Sequence, residues 1–500
     1  MLICINSTCS FHLNLKVKHS SHTKMSISPG SVTSQPHIAL FPSAGMGHLT
    51  PFLRLASLLL SHNCKLTLIT AKPTVSVAEC THISSFLSKH PEINHIEFHV
   101  PPMQLSGSIS DDPFFIQFEA TSRSAHQIHP LLASLTPPVS AIFADLVVAN
   151  GANKVAVDLG VRNYIVSTTS LKFLSLMAYL PVLTTSAAAK LVDGATEIEI
   201  PGLTPLPISS IPPPFFNADH GFTATLVSNA KALPFCNGIL MNTFESFEPE
   251  TLSAINNKRA LSNLPSILPI GPLETYGLNM NGQTRYLPWL NDQPAGSVVF
   301  LSFGSRTAMS KDQIKELSDG LERSGYRFLW VLKTKKVDKD EKEDLGEILS
   351  SSFLERTKNR GMVIKEWVNQ QDILGNAAIG GFVSHCGWNS VMEAAGNGVP
   401  VLAWPQHGDQ RTNAEVLEKA GLGIWDATWG WGGQRLVKQD EIQRKISELM
   451  TDEKLKSKAK SVGDEAKKAT GNGGTSKNTI LETIESLKQN VQTVLGTHKN

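Results

Sequence analysis

Two separated stretches of the chain hold side chains whose types and spacing could do chemistry. The first is Gly380-Gly-Phe-Val-Ser-His-Cys-Gly-Trp-Asn-Ser-Val-Met-Glu393, followed by Pro400-Val-Leu-Ala-Trp-Pro-Gln-His-Gly-Asp-Gln410. Phe382 and Val383 read as the end of a buried strand, Gly387 permits a turn, and Asn389 and Ser390 suit the first positions of a helix. A strand feeding a helix N-terminus gathers unpaired N–H groups and the positive end of the helix dipole at one spot, which suits a phosphate. Glu393 and Asp409 add carboxylates for hydroxyl groups, so the combination points to a nucleotide carrying a second moiety. The second stretch is Pro42-Ser-Ala-Gly-Met-Gly-His48. His48 falls where a helix begins, and the helix dipole there disfavours imidazolium, leaving a neutral ring able to accept a proton near pH 7. Read locally, His48 is either such a base or a plain helix cap.

These residues need a scaffold of alternating strands and helices. His37–Phe41 reads as a buried strand, Leu49–Leu60 as a helix and Lys65–Ile69 as a second strand, together a βαβ unit. Its loop holds only Gly45 and Gly47 in a G-x-G pattern, with no acidic residue after the second strand. That is too little for a nicotinamide site. Val139–Asp145 is another apolar strand ending in a carboxylate. Asp145 either orients His48 across the crevice at the strand ends or caps the segment that follows it. Tyr164–Ser167 is a further strand, leading to Thr168 and an apolar helix with Phe173, Leu176 and Met177. Residues 200–217 are proline-rich and predict an irregular loop. A second alternating run starts at Ser297–Phe303 and continues through a helix at Lys311–Arg323 and strands at Tyr326–Leu332, Met362–Trp367, Gly381–Ser384 and Pro400–Trp404. Lys333–Glu347 is charge-rich and reads as a solvated loop, and Ser476–Leu495 has an amphipathic helix pattern.

The expected fold class is therefore α/β, with two doubly wound Rossmann-like domains facing across a cleft. The expected division is a disordered extension over residues 1–35, an acceptor-side domain over 36–245 and a proline-punctuated linker over 246–295. A donor-side domain over 296–470 and a C-terminal helix and tail over 471–500 complete it. Five hundred residues exceed what one core accommodates. A hydrophobic fraction of 41%, a charged fraction of 18% and a net charge of +1 describe an ordinary globular protein with no electrostatic footprint for nucleic acid or anionic membrane. The six cysteines, Cys4, Cys9, Cys64, Cys80, Cys236 and Cys386, are scattered and suit a reducing, cytoplasmic setting better than a disulfide framework or zinc. No apolar stretch approaches the ~18 residues of a membrane span.

The segment from Trp367-Val-Asn-Gln370 to Asp409-Gln410 resembles the signature box of plant UDP-dependent glycosyltransferases of the inverting, two-Rossmann-domain class. Coarser similarity extends over roughly residues 36–490. The resemblance implies the GT-B architecture and a donor site in which Trp367 stacks on uracil beside Gln370 and Glu393 binds the ribose hydroxyls. His385, Asn389, Ser390 and backbone at Gly387 would take the diphosphate with Ser305. Asp409 and Gln410 would reach the sugar hydroxyls, with Trp388 alongside. A flat base suits an aromatic face, vicinal hydroxyls suit one carboxylate, and phosphates suit a helix N-terminus. Val368-Asn369 departs from the usual Ala-Pro, and His407-Gly408 from Phe-Ser or similar. The closing Gln410, rather than His, resembles glucose-preferring members.

By the same resemblance His48 matches the catalytic base, Asp145 its partner and Thr168 a residue near the transferred sugar. No metal and no cofactor are implied, UDP-glucose being a co-substrate. Ser43-Ala-Gly-Met-Gly-His-Leu49 and Gly304-Ser-Arg-Thr-Ala-Met-Ser-Lys-Asp-Gln-Ile314 look like the plant flavonoid C-glycosyltransferases. The acceptors implied are phloroglucinol-type phenols such as 2-hydroxyflavanones and dihydrochalcones. Phe114, Phe115, Phe173, Met177, Phe215 and Phe216 are candidate acceptor-pocket walls or plain core. The function expected is inverting C-glucosylation of such a phenol by a monomeric enzyme. The alternatives are an O-glucosyltransferase and, from another class, a non-catalytic nucleotide-sugar-binding protein.

Overall fold

A computed structural model describes residues 35–102, 113–185, 194–276, 286–333 and 344–497. The expected extension at 1–35, Cys4 and Cys9, and most of the charge-rich insertion lie outside them, save for residue 35 and the ends of that insertion. The strands are β1 (His37–Phe41), β2 (Lys65–Lys72), β3 (Asn94–His99), β4 (Ala141–Asp145), β5 (Arg162–Ser167), β6 (Glu197–Ile198), β7 (Leu206–Pro207), β8 (Gly238–Met241) and β9 (Ile267–Pro269). They continue as β10 (Val298–Ser302), β11 (Arg327–Val331), β12 (Gly361–Ile364), β13 (Ile379–Ser384), β14 (Val401–Ala403) and β15 (Gly423–Trp425).

Two parallel sheets result, in the order β3-β2-β1-β4-β5-β8-β9 and β12-β11-β10-β13-β14-β15. Each reverses direction beside its first strand, which leaves a crevice outside the carboxyl ends of the strands. Strand composition follows from burial on both faces. In β1, Ala39 and Phe41 enter one core cluster while Ile38 and Leu40 enter another. In β10, Val298 and Phe300 are divided in the same way from Val299 and Leu301.

Register decides what meets at the crevice. Phe41 pairs with Ala144 and Asp145 with Val166, so the loop after β1, the end of β4 and the start of the Thr168 segment lie side by side. In the second sheet Ser302 pairs with Ser384, which sets the Gly304-Ser305 loop against the His385–Gly387 turn.

Proline punctuation misplaced the domain boundary. Residues 249–269, expected in the linker, carry helix Pro249–Asn256 and β9, the last strand of the first sheet. Prolines there open the helix and end an edge strand, positions that need no backbone donor. The stretch 200–217 is also less irregular than expected. Its β7 pairs antiparallel with β6, and Ile200, Ile211 and Phe215 are buried. The helix Thr475–Thr497 returns to the first domain, where Ile480, Ile484 and Leu487 are fully buried. Among the described residues no helix is long and apolar enough to cross a membrane.

Candidate active site

Helix Met46–Ser61 starts at Gly45, whose φ of 101° and ψ of 144° form a conformation only glycine adopts readily. A Cβ on Gly45 would lie 2.8 Å from the Phe114 ring. This turn puts His48 in the first helical turn with its Nδ1 2.8 Å from Asp145 Oδ2 and 3.3 Å from Thr168 Oγ1. Asp145 is buried and His48 about a quarter exposed. Both local readings of Asp145 hold at once, because its Oδ1 accepts from Val147 N at 2.8 Å and caps the following turn. Both oxygens of the carboxylate are thereby fixed, and among the described residues the hydrogen bonds of His48 are made through Nδ1.

The direction of the shift expected at His48 needs correction. Burial does oppose a charged ring, but the charge and hydrogen bond of Asp145, aided by the charge of Asp409, outweigh it against Arg306 and hold the pKa above 6.5. The helix dipole is outcompeted by a carboxylate in direct contact. Glu79, unnoticed in the sequence, is buried and accepts from the backbone N–H groups of Val75 and Gly45, tying down the loop that carries His48.

The opposite lip is the turn from β13 into helix Trp388–Asn397, with Gly387 as its N-cap. Cys386 enters it with a φ of 67° and a buried thiol. A Cβ on Gly304 or Gly387 would come within 2.5 or 2.6 Å of His385 Nε2, so both glycines make room for this ring. Burial lowers the His385 pKa to about 4 against a backbone hydrogen bond at Ser302, keeping it neutral. Ser305 sits in the neighbouring loop, half-buried. Asn389 donates to Gly47 O at 3.1 Å across the cleft while its Oδ1 is buried and unpaired. Gln370 Nε2 donates to Ser390 Oγ at 2.8 Å and to Glu393 Oε2 at 2.7 Å. The other oxygen of Glu393 is taken by Arg54 of the first domain. Trp367 is half-buried, with the ring of His82 edge-on at 5.1 Å.

Two predicted residues, Trp388 and Gln410, are placed differently. Trp388 is buried against Phe247, and its indole N–H donates to Asn242 O at 2.8 Å, so the ring faces the interdomain core rather than the cleft. Gln410 is turned onto its own loop, accepting from the N–H groups of Gln406 and His407 at 2.8 and 2.9 Å. Asp409 reaches the first domain through Oδ2 alone, which accepts from Thr169 Oγ1 at 2.5 Å and from Asn413 Nδ2 at 2.8 Å. Burial raises the Asp409 pKa against those hydrogen bonds. Thr168 and Thr169 thus serve opposite lips.

The aromatic candidates are largely brought together. Phe114 packs on Phe115 and on Phe118, Phe115 and Phe118 pack on Phe222, and Phe222 packs on Phe215, which packs on Phe173. Phe114 also lies 6.1 Å from His48. Met177 is buried in the same core cluster. Phe216 is 45% exposed and stands outside the ring cluster, because the short turn at Pro213–Phe216 points adjacent side chains apart. Phe118, Phe222 and Arg306 were missed. Phe118 was findable from its i,i+4 spacing to Phe114. Arg306, whose guanidinium lies 3.8 Å over the Phe114 ring, had no local signal.

Two sheets of Rossmann order facing each other, with a histidine–carboxylate pair on one lip and a helix N-terminus on the other, define a GT-B nucleotide-sugar transferase. A family profile described as "UDP-glucoronosyl and UDP-glucosyl transferase" matches residues 286–457. UDP-glycosyltransferase 708C1 of Fagopyrum esculentum is 49% identical over 92% of this chain and 97% of its own length. UDP-glycosyltransferase CGT of Oryza sativa subsp. indica is 43% identical over 90% and 95%. The crystal structure of LpCGTa in complex with UDP superposes with a TM-score of 0.80 at 42% identity, covering 91% of this chain and 99% of that one. Phytolacca americana UGT2, complexed with UDP-2fluoro-glucose and pterostilbene, gives 0.76 at 31% identity, with 90% and 99% covered. The chain belongs to the UDP-glycosyltransferase family. Its relatives agree with the resemblance to plant C-glycosyltransferases carried by the loops around His48 and Ser305.

Proposed function

We propose that this enzyme transfers glucose from UDP-glucose to a ring carbon of a phloroglucinol-type phenol, such as a 2-hydroxyflavanone or dihydrochalcone, with inversion. The observation that carries the reading is the His48–Asp145 pair, 2.8 Å apart beside the Phe114 ring and within electrostatic reach of Asp409. Asp145 holds the ring through Nδ1, and Nε2 takes the proton of an acceptor hydroxyl. The negative charge spreads to the ortho carbon, which attacks the anomeric carbon opposite UDP. The bond from that carbon to the diphosphate oxygen breaks with its electron pair, releasing UDP, and the proton on the attacking ring carbon passes to the adjacent carbonyl oxygen, which restores the phenol. An α-linked donor gives a β-linked product.

On the donor side, Trp367 stacks on uracil with Gln370 beside it, and Glu393 receives the ribose hydroxyls. The N-terminus of helix Trp388–Asn397, with His385, Asn389, Ser390 and Ser305, takes the diphosphate. Asp409 is the sugar ligand, Thr168 lies near the sugar, and Gln410 shapes the loop that presents Asp409. Phe114, Phe115, Phe173 and Phe215 wall the acceptor side. The chemistry needs no metal if the helix end and these side chains meet the charge of the departing diphosphate. We place the enzyme in the cytoplasm as a monomer, a setting supported by its four described cysteines being unpaired.

C- rather than O-linkage is supported by relatives and solved structures named CGT. The test is incubation with phloretin and UDP-glucose, followed by acid hydrolysis and mass spectrometry of the product. A C-glucoside survives with its glucose attached; release of free glucose makes the enzyme an O-glucosyltransferase.

A further inference from the structure

Arg54 stands where its helix calls for an apolar residue. Its neighbours Phe52, Leu53, Leu55 and Ala56 are fully buried, and Arg54 itself is 6% exposed. An unpaired guanidinium there would be costly, and the structure supplies its partner from the other domain, since Arg54 Nη2 donates to Oε1 of Glu393, which is 7% exposed. Glu393 Oε2 accepts from Gln370 Nε2. An ionised carboxylate has about four acceptor positions over its two oxygens. Among the described residues one donor reaches each oxygen, which leaves one position on each, side by side, the pattern a vicinal diol requires. Arg54 Nε is buried and has no partner among the described residues.

The two ions come from different domains. With helix Met46–Ser61 docked against helix Trp388–Asn397, Arg54 holds one oxygen of Glu393 from across the cleft while Gln370 holds the other from its own domain. We propose that Arg54 is a positioning residue of the donor site, fixing the plane of the Glu393 carboxylate from across the cleft so that its free positions meet the 2′ and 3′ hydroxyls of the nucleotide. The proposal rests on the reading of Glu393 as the ribose ligand. Ribose contacts are the same before and during sugar transfer, so Arg54 acts on donor affinity rather than on the chemical step.

The test uses the full-length enzyme, with UDP and 2′-deoxy-UDP as competitive inhibitors against UDP-glucose. Wild type should prefer UDP. Arg54→Gln should raise KM for UDP-glucose about tenfold or more with kcat within about threefold, as expected for lost charge-assisted hydrogen bonding. It should also bring the preference for UDP over 2′-deoxy-UDP close to unity, and Glu393→Gln should do the same. Arg54→Lys, which keeps the charge but not the planar fork, should lie between, and it decides the matter if Arg54→Gln does not fold. A Glu393→Gln variant that loses the preference beside Arg54 variants that keep it would overturn the role of Arg54 and leave the ribose reading standing. A Glu393→Gln variant that keeps the preference would overturn the ribose reading itself.

Discussion

Asp145 binds His48 with one carboxylate oxygen and its own chain with the other. Oδ2 lies 2.8 Å from His48 Nδ1, and Oδ1 accepts from Val147 N at the same distance. The cap removes the freedom of the carboxylate to rotate, so the direction of the imidazole follows from the backbone at the end of β4. A base that gains its partner in this way should titrate above its ordinary value, as His48 does.

The first prediction concerns pH. The proposed reaction needs neutral His48, so kcat/KM should fall on the acid side through a pKa above 6.5. Asp145→Asn removes the charge that raises that pKa. The acid limb should move to lower pH while the plateau drops by about 10²–10⁴-fold, the usual worth of a positioned base. Linkage gives a second readout with its own sign. A raised folded pKa contributes stability that is fully present below the unfolded value near 6.5 and is lost as pH rises through the folded value. Melting curves of wild type and Asp145→Asn should therefore differ more at pH 6 than at pH 9. A pH profile unmoved by Asp145→Asn would remove Asp145 as the partner of the base.

The two glycines of the loop before His48 should behave oppositely. Gly45→Ala meets both a φ of 101° and a contact of 2.8 Å to Phe114, strain of about 1–3 kcal/mol for the backbone alone. Relief requires the loop or Phe114 to move, and either shift displaces His48. Turnover should fall about tenfold or more, with UDP affinity by calorimetry close to wild type. At Gly47 a Cβ meets nothing within 4 Å and the residue is helical. Gly47→Ala should leave the melting temperature unchanged or raise it, since alanine in a helix gains about 1 kcal/mol over glycine.

The same loop shows where the sequence could be read and where it could not. Strands β1, β4, β5 and β10 to β14 were legible because burial on both faces leaves apolar runs flanked by glycine or polar residues. Edge strand β3, Asn94–His99, alternates too weakly, and β9 is three residues ending in proline. Candidate site residues recognisable by type, such as His48, Asp145 and Glu393, could be named from the sequence. The pKa of His48, the dual bonding of Asp145 and the commitment of Trp388 to Asn242 depend on contacts between residues 97 and 146 positions apart. Arg54 was hidden for the same reason, because its partner is 339 residues away. Local pattern names a side chain, and only the paired registers of the two sheets decide what it touches.

Gln410 offers the sharpest separation of a direct role from an indirect one. Its side chain is 4% exposed and its Oε1 holds the N–H groups of Gln406 and His407. Gln410→Ala orphans both donors, costing about 1–3 kcal/mol for a buried group left unmade. The Pro405–Asp409 loop should loosen, raising KM for UDP-glucose about tenfold and weakening discrimination between UDP-glucose and UDP-galactose in competition. UDP affinity should change little, because UDP lacks the sugar that Asp409 is proposed to receive. Gln410→Glu keeps an acceptor oxygen for the same two N–H groups and loses only the amide donor, which lies 3.4 Å from His407 Nδ1. If Gln410 acts through its loop, Gln410→Glu should retain most of the wild-type KM and donor preference. If it donates to the sugar itself, Gln410→Glu should be as damaged as Gln410→Ala, and the indirect role falls.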